Sequence, residues 1–340
     1  MAILENSSEA PVSLKRADPA IARRRMARLR AAAPVMVLAV ICLVITLINP
    51  NFLEVSNLIR LLSSAAIPLV LVMGATFIIL MGSIDLSVEG VVALTAVLAA
   101  ALVANDQGGT GEFTLLAVPA AIALGGVLGL VNGLVHVKLR IPSFMATLGI
   151  GFATVGIATA VLGGFPIRIT DRGFRALALD RYLNVPLSVW VALATVLVAL
   201  LVQQRTRIGR WLYAIGGDEE IARHSGVPVD RTRIWIFAIA GCFYGLGGAL
   251  SAAQLGQAHS LISQGRLFTT ITAVVVGGTA LSGGVGSVLN SVIGVLIVVI
   301  LTNGMVLAGL SPYIQQGVQG ILIIVAVALA LDRSRLEAVK

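Results

Sequence analysis

From Leu61 to Ser83 the chain reads LLSSAAIPLVLVMGATFIILMGS, twenty-three residues without a single Asp, Glu, Lys or Arg. A helix of that length covers about 34 Å, enough to cross the roughly 30 Å hydrocarbon core of a bilayer. Val285–Ile300 is equally free of charge. Over all 340 residues 58% are hydrophobic and only 12% charged, and the mean hydropathy is +0.99. Soluble domains hold roughly 45–50% apolar residues. Charge is being kept out of long runs, as a lipid solvent requires, and no sizeable soluble domain fits in what remains.

Apolar runs fall at about 31–48, 58–81, 86–104, 114–136, 142–163, 187–203, 234–255, 267–281, 286–308 and 313–331. The run at 267–281 is short and ends in Gly277-Gly278, which suits a broken element buried by protein rather than a lipid-facing helix. Cytoplasmic segments carry the excess of Lys and Arg. With the N-terminus inside and ten crossings, 18 basic residues fall inside and 6 outside, four of the latter between Arg168 and Arg181. The expectation is an all-α polytopic membrane protein of about ten transmembrane helices, one short or broken, with both termini cytoplasmic. A basic tail occupies 1–30, the membrane domain 31–332 with a cytoplasmic segment at 204–233, and a second tail 333–340.

The net charge of +8 does not mark a nucleic-acid binder, because the basic residues flank apolar spans instead of lining one polar face. The run at Ala31–Ile48 is longer than a signal-peptide core and lacks a cleavage pattern, so it reads as an uncleaved first helix. Cys42 and Cys242 both sit in apolar runs and offer neither a disulfide framework nor a metal site. Phosphate-loop, His-Glu-x-x-His and dinucleotide motifs are missing, so no catalytic, metal or cofactor residue is assigned.

Between Gln203 and Arg233 lies a polar stretch with complete helix punctuation. Asp218 can cap a helix starting at Glu219 and Glu220, with Ile221 and Ala222 at its centre, Arg223 near its end, Gly226 as terminator and Pro228 beyond. So short a helix is unstable alone in water. It packs on its own membrane domain, or it docks Ile221, Ala222 and the flanking charges into a partner.

Asp85, in Gly82–Gly90, is flanked by apolar runs. It either caps the helix from Leu86 onward or takes part in translocation, as buried membrane acids often do. With Ser87, Asn132, Phe144, Thr147, Thr279 and Asn303 it can line a path for a neutral polar solute. A proton-driven carrier needs a relay of titratable groups, and few are available here. Met81–Ser87 and Gly278–Ser282 resemble each other weakly, each following an apolar stretch, either by chance or as structural repeats of transporters do.

Four stretches together carry a family resemblance: GSIDLSV at 82–88, IPSFMATLG at 141–149, TRIGRWLYAIGG at 206–217 and AVVVGGTALSGG at 273–284. From about Asn57 to Asp332 the chain resembles the permease subunit of ribose-type carbohydrate-uptake ABC importers, within a family that includes branched-chain amino acid and nucleoside permeases. The resemblance implies a sugar or sugar-like polyol as cargo, or otherwise a nucleoside, branched-chain amino acid or furanose signal. A stand-alone secondary carrier is the reading from another class. Expected partners are a second permease chain, identical or paralogous, a cytoplasmic ATPase that binds ATP and Mg, a periplasmic solute-binding protein and membrane lipid, in a bacterial inner membrane. Asp218–Gly226 then resembles the family's coupling helix. One departure stands out: family members commonly read Gly-Tyr-Glu-Leu-Asp-x-Ile where this chain has Gly265–Ile271 as GRLFTTI, so Leu267 and Thr269 replace both acids.

Overall fold

A computed structural model of the chain describes residues 19–330. They form α1 (Pro19–Ile48), α2 (Val55–Leu80), α3 (Val88–Leu102), α4 (Thr114–Lys138), α5 (Ser143–Leu162), α6 (Arg172–Leu179) and α7 (Leu187–Arg205). The path continues through α8 (Arg207–Gly217), α9 (Glu219–His224), α10 (Val229–Leu255), α11 (Arg266–Val276), α12 (Val288–Leu307) and α13 (Pro312–Ala330). Strand is limited to two-residue pieces, β1 (Ile167–Arg168), β2 (Arg181–Tyr182), β3 (Val185–Pro186) and β4 (Gln257–Ala258), with β1 pairing β4 and β2 pairing β3. Each of the ten apolar runs carries a helix, and α2, α4, α5, α7, α10 and α12 are long and apolar enough to cross a membrane. The tail expected at 333–340 and the first eighteen residues lie outside the described residues. Residues 19–30, expected in the N-terminal tail, instead continue α1.

α2 and α10 form the centre of the bundle. In their most apolar windows 78% and 72% of residues are buried, against 22% in α4, whose outer face is left for lipid. α4 reaches α10 through a row of small residues four apart, Ala121, Gly125, Gly129 and Gly133, facing Gly241 and Gly245. A methyl group on Gly125 would strike the Gly241 carbonyl oxygen, and one on Gly129 the carbonyl oxygen of Phe237. Lipid tails are as apolar as leucine, so close backbone contact has to supply what the hydrophobic effect does not.

Two spans are interrupted, where one was expected. α2 stops at Leu80, residues 83–87 run without helix, and α3 begins only at Val88. Fifteen residues give α3 about 22 Å, and eleven give α11 about 16 Å, neither enough to cross alone. The runs at 58–81 and 86–104 leave 82–85 between them; what a hydropathy reading misses is that Leu86 and Ser87 also stay out of the helix, because Ile84, Leu86 and Val88 keep the stretch apolar.

Helix ends collect at two rims. At one, the α3–α4 connection, the 163–186 segment and the end of α10 meet: Asp106 N–H donates to the Arg168 carbonyl (3.1 Å) and Ile169 N–H to that of Gly256 (2.9 Å). Asp171 caps α6, which buries Phe174 and Ala178 and leaves Arg172 exposed, so the basic residues between 168 and 181 belong to a surface cap. At the other rim stand the end of α2, the start of α12, and α8 and α9.

Packing at the α4–α10 seam yields a direct test. Gly125→Val should lower stability by about 1–3 kcal/mol through overpacking, read as a reduced thermal midpoint in detergent, whereas Gly149→Ala, with nothing within 4 Å of the added methyl, should be neutral or slightly stabilising.

Candidate functional site

The two interruptions touch. Gly284 N–H donates to the Leu80 carbonyl at 2.9 Å, and Gly82 and Gly283 pack backbone to backbone. Glu89, in the first turn of α3, accepts the Leu267 N–H at the start of α11 at 3.1 Å, while Ser263 Oγ donates to the Glu89 carbonyl at 2.6 Å. Residues 82–89 therefore run from the loop after α11 back to its first turn, antiparallel to the half-helix. The two stretches that resemble each other in sequence are also neighbours in space.

The exposed amides of the first interruption are taken up by side chains. Ile84 N–H donates to Ser143 Oγ (3.1 Å) and Leu86 N–H to Thr147 Oγ1 (2.9 Å). Four residues of helix rise about 6 Å and two of extended chain about 6.6 Å, so hydroxyls at i and i+4 of α5 match amides at i and i+2. Asp85 Oδ1 accepts from Ser87 N–H (2.8 Å) and Ser87 Oγ (2.6 Å), and Asn132 Nδ2 of α4 donates to Ser87 Oγ (2.8 Å). Asp85 thus closes a turn two residues ahead of the N-cap, Ser87, instead of capping α3 itself.

Of the seven expected path residues, Asp85, Ser87, Asn132 and Thr147 are brought together in this joint. Asp85 also borders a cavity of about 90 Å³ with Thr270 and Ile271 of α11. Thr279 is buried in the second interruption against Gly286. Phe144 is 43% exposed, away from the joint. Asn303 lies apart from the rest, exchanging hydrogen bonds with Asn57 at 3.1 Å in the wall of a much larger cavity of about 730 Å³ between α2, α11, α12 and α13. Arg60, Gln264, Arg266, Gln316 and Gln319 share that wall. None was singled out as a path residue, although Asn57, Arg60 and Ser64 fall on one helical face at spacings that a periodicity count detects.

The second interruption is tied to α8 and the end of α7. Tyr213 of α8 donates its hydroxyl to the Gly286 carbonyl (2.8 Å) and receives a hydrogen bond from Gln203, whose Oε1 accepts the Val288 N–H (3.1 Å). Gly216 sits against the Leu80 carbonyl and the Gly284 amide, where any side chain would collide.

α9 follows at once. Asp218 caps it by accepting the Ile221 N–H (3.0 Å), and Gly226, at φ +81°, ends it. Ala222 is buried against the protein's own core, while Ile221 is 65% exposed and Glu220 is exposed. The docking face is therefore narrower than expected, because Ala222 points inward. Arg233 of α10 holds both oxygens of Glu219 at 3.0 and 2.6 Å, and Arg223 bridges Glu219 (3.1 Å) and Asp230 (2.9 Å). Burial pushes the Glu219 carboxyl up, but hydrogen bonds and charge from Arg233 and then Arg223 outweigh it and hold it below the usual range. Asp230 is held low by the hydrogen bond from Arg223.

A family profile described as branched-chain amino acid transport system / permease component matches residues 57–327. The chain belongs to that family. The permease is 34% identical over 294 residues to the ribose import permease protein RbsC of Escherichia coli, covering 85% of this chain and 90% of the relative. It is 35% identical over 304 residues to the ribose import permease protein of Bacillus subtilis, covering 88% and 92%. Against the galactose/methyl galactoside import permease protein MglC of Escherichia coli it is 34% identical over 309 residues, covering 86% and 92%. No solved structure matches it.

A carboxylate with a lowered folded-state pKa adds stability above its ordinary value of about 4.3 and loses it as pH falls through the folded value. The Glu219 cluster should therefore hold from neutral pH down to the carboxylate range. Arg233→Ala should loosen it already at pH 7, by no more than about 1 kcal/mol given its partial exposure, seen as faster amide hydrogen exchange across residues 219–227. Unchanged exchange would leave α9 held by Ala222 and its neighbours alone.

Proposed function

We propose that this permease is the translocation subunit of an ATP-driven ABC importer for a sugar or sugar-like polyol. The observation that carries the reading is that Ile221 stands exposed on α9 only five residues after Gly216, which packs directly against the junction of the two interrupted spans. Relatives named as ribose and galactose import permeases support the sugar class. The chain is a multi-pass inner-membrane transport subunit, not an enzyme.

In this reading the chain crosses the membrane ten times, α3 and α11 each completing a crossing together with the non-helical segment beside it, and both termini are cytoplasmic. What supports it is that α8, α9, the end of α2 and the start of α12 stand together at the rim that carries Arg205, Arg207, Arg210, Arg231 and Arg233. The starts of α11 and α13 and the end of α12 border the large cavity on the opposite side. A second permease chain, identical or paralogous, completes the path, and a periplasmic solute-binding protein delivers the cargo. The partner ATPase binds ATP and Mg. Its closure pushes on Ile221 and Glu220, the Glu219–Arg233 clamp passes that push to α10, and Gly216 passes it to the interrupted spans. Breaks in helices are where a bundle changes shape at low cost, since few backbone bonds there need to be exchanged.

Reconstitution with the cognate ATPase and binding protein tests the reading. Ile221→Asp or Glu220→Arg should leave ATP hydrolysis running while uptake falls at least tenfold; full ATP-dependent uptake would end the docking assignment. Sugar uptake by this chain without ATP would favour a carrier.

Asp85→Asn retains an oxygen for Ser87, so the fold should survive with its thermal midpoint nearly unchanged while transport drops. Normal transport by that variant confines Asp85 to closing the turn.

A further inference from the structure

The large outer cavity carries a charge pattern that a neutral sugar does not call for. Its wall holds two guanidinium groups, Arg60 from α2 and Arg266 from α11, and no Asp or Glu. Among the described residues neither arginine makes an ion pair. The nearest carboxylate on α3, Glu89, is turned to the Leu267 amide and does not line the cavity. Arg266 also occupies the first turn of α11, the positive end of a helix, where an anion is favoured and a cation is not. Half-buried beside apolar residues such as Val295 and Val298, its charge is poorly screened and sets a positive potential over the whole cavity.

Around this charge the wall offers neutral hydrogen-bonding groups. Asn57 and Asn303 satisfy each other. Gln319 donates to Thr302 Oγ1 at 3.2 Å and Gln315 to the Leu310 carbonyl at 2.9 Å, which leaves their amide oxygens available as acceptors. Gln264 and Gln316 add further amides at the wall. Guanidinium forks bind planar anions through paired charge-assisted bonds, and amides suit hydroxyls. The volume of about 730 Å³ lies within the roughly 300–1,000 Å³ range of small-molecule sites.

We propose that this cavity is a binding station for a polyhydroxylated anion, a sugar acid or sugar phosphate, with Arg266 holding the anionic group, Arg60 guarding the mouth and the glutamines of α13 meeting the hydroxyls. This rests on the importer reading and narrows its cargo.

Binding to the purified full chain in nanodiscs tests it with a matched pair, D-gluconate against D-glucitol, which differ only in a carboxylate for a terminal hydroxymethyl group, and with D-glucose 6-phosphate as the phosphate arm. At least one anion should bind roughly tenfold more tightly than glucitol, the scale of one charge-assisted contact, and the preference should shrink with added salt. Tighter gluconate binding assigns a sugar acid and tighter glucose 6-phosphate binding a sugar phosphate. Arg266→Gln should abolish the preference and Arg266→Lys keep part of it. Arg60→Gln, at an exposed position, should weaken it without affecting folding. Glucitol binding as tightly as both anions, or a preference that survives both glutamine variants, overturns the proposal. If the assembled importer drives ATP-dependent uptake of a neutral sugar while no anion is preferred, the cargo assignment fails and the importer reading stands. Loss of all ATP dependence strikes the importer reading instead.

Discussion

Backbone without helix inside a membrane has no water to satisfy its amides and carbonyls, so every such group has to be met by the protein itself. The joint between the two interrupted spans answers that demand. Residues 82–88 draw on Ser143 and Thr147 of α5, on Asp85, and on the carbonyls of Ile78 and Ile79. The second interruption draws on Gln203, Tyr213 and the Leu80 carbonyl. Each group serves as both support and restraint, and the positions of α3, α5, α8 and α12 follow from it.

Glycine makes the joint compact enough to work. At Gly216 two backbones approach too closely for any side chain, and Gly82 adopts φ +77°, which other residues rarely take. Because Gly216 lies at the last turn of α8, two residues before the cap of α9, a displacement of α9 is delivered to the joint with almost no intervening chain. The Glu219–Arg233 pair provides a second, electrostatic link to α10, the helix at the centre of the bundle.

Binding and movement are thereby separated. The joint gathers Ser83, Asp85, Ser87, Asn132, Thr147 and Thr279, all buried, and fixes geometry, whereas the outer cavity gathers groups with unused hydrogen-bonding capacity. Residues that look alike in a hydropathy trace, such as Asn132 and Asn303, end in different roles because one meets a serine hydroxyl in the joint and the other forms part of a cavity wall.

By itself the sequence determined the solvent of this protein, its helical class, the number of apolar runs and the short capped helix after Asp218. Those features rest on local properties, namely the length of charge-free runs and the chemistry of helix ends, that are legible one segment at a time. Only the tertiary structure decided that 83–87 is non-helical, that it lies against α11, that Ala222 faces inward, and that Arg60 and Arg266 share a cavity with residues from α13. Ile84 and Leu86 fit an apolar helix as readily as an open stretch, and it is the hydroxyls of Ser143 and Thr147, more than fifty residues away in the chain, that make the non-helical form affordable.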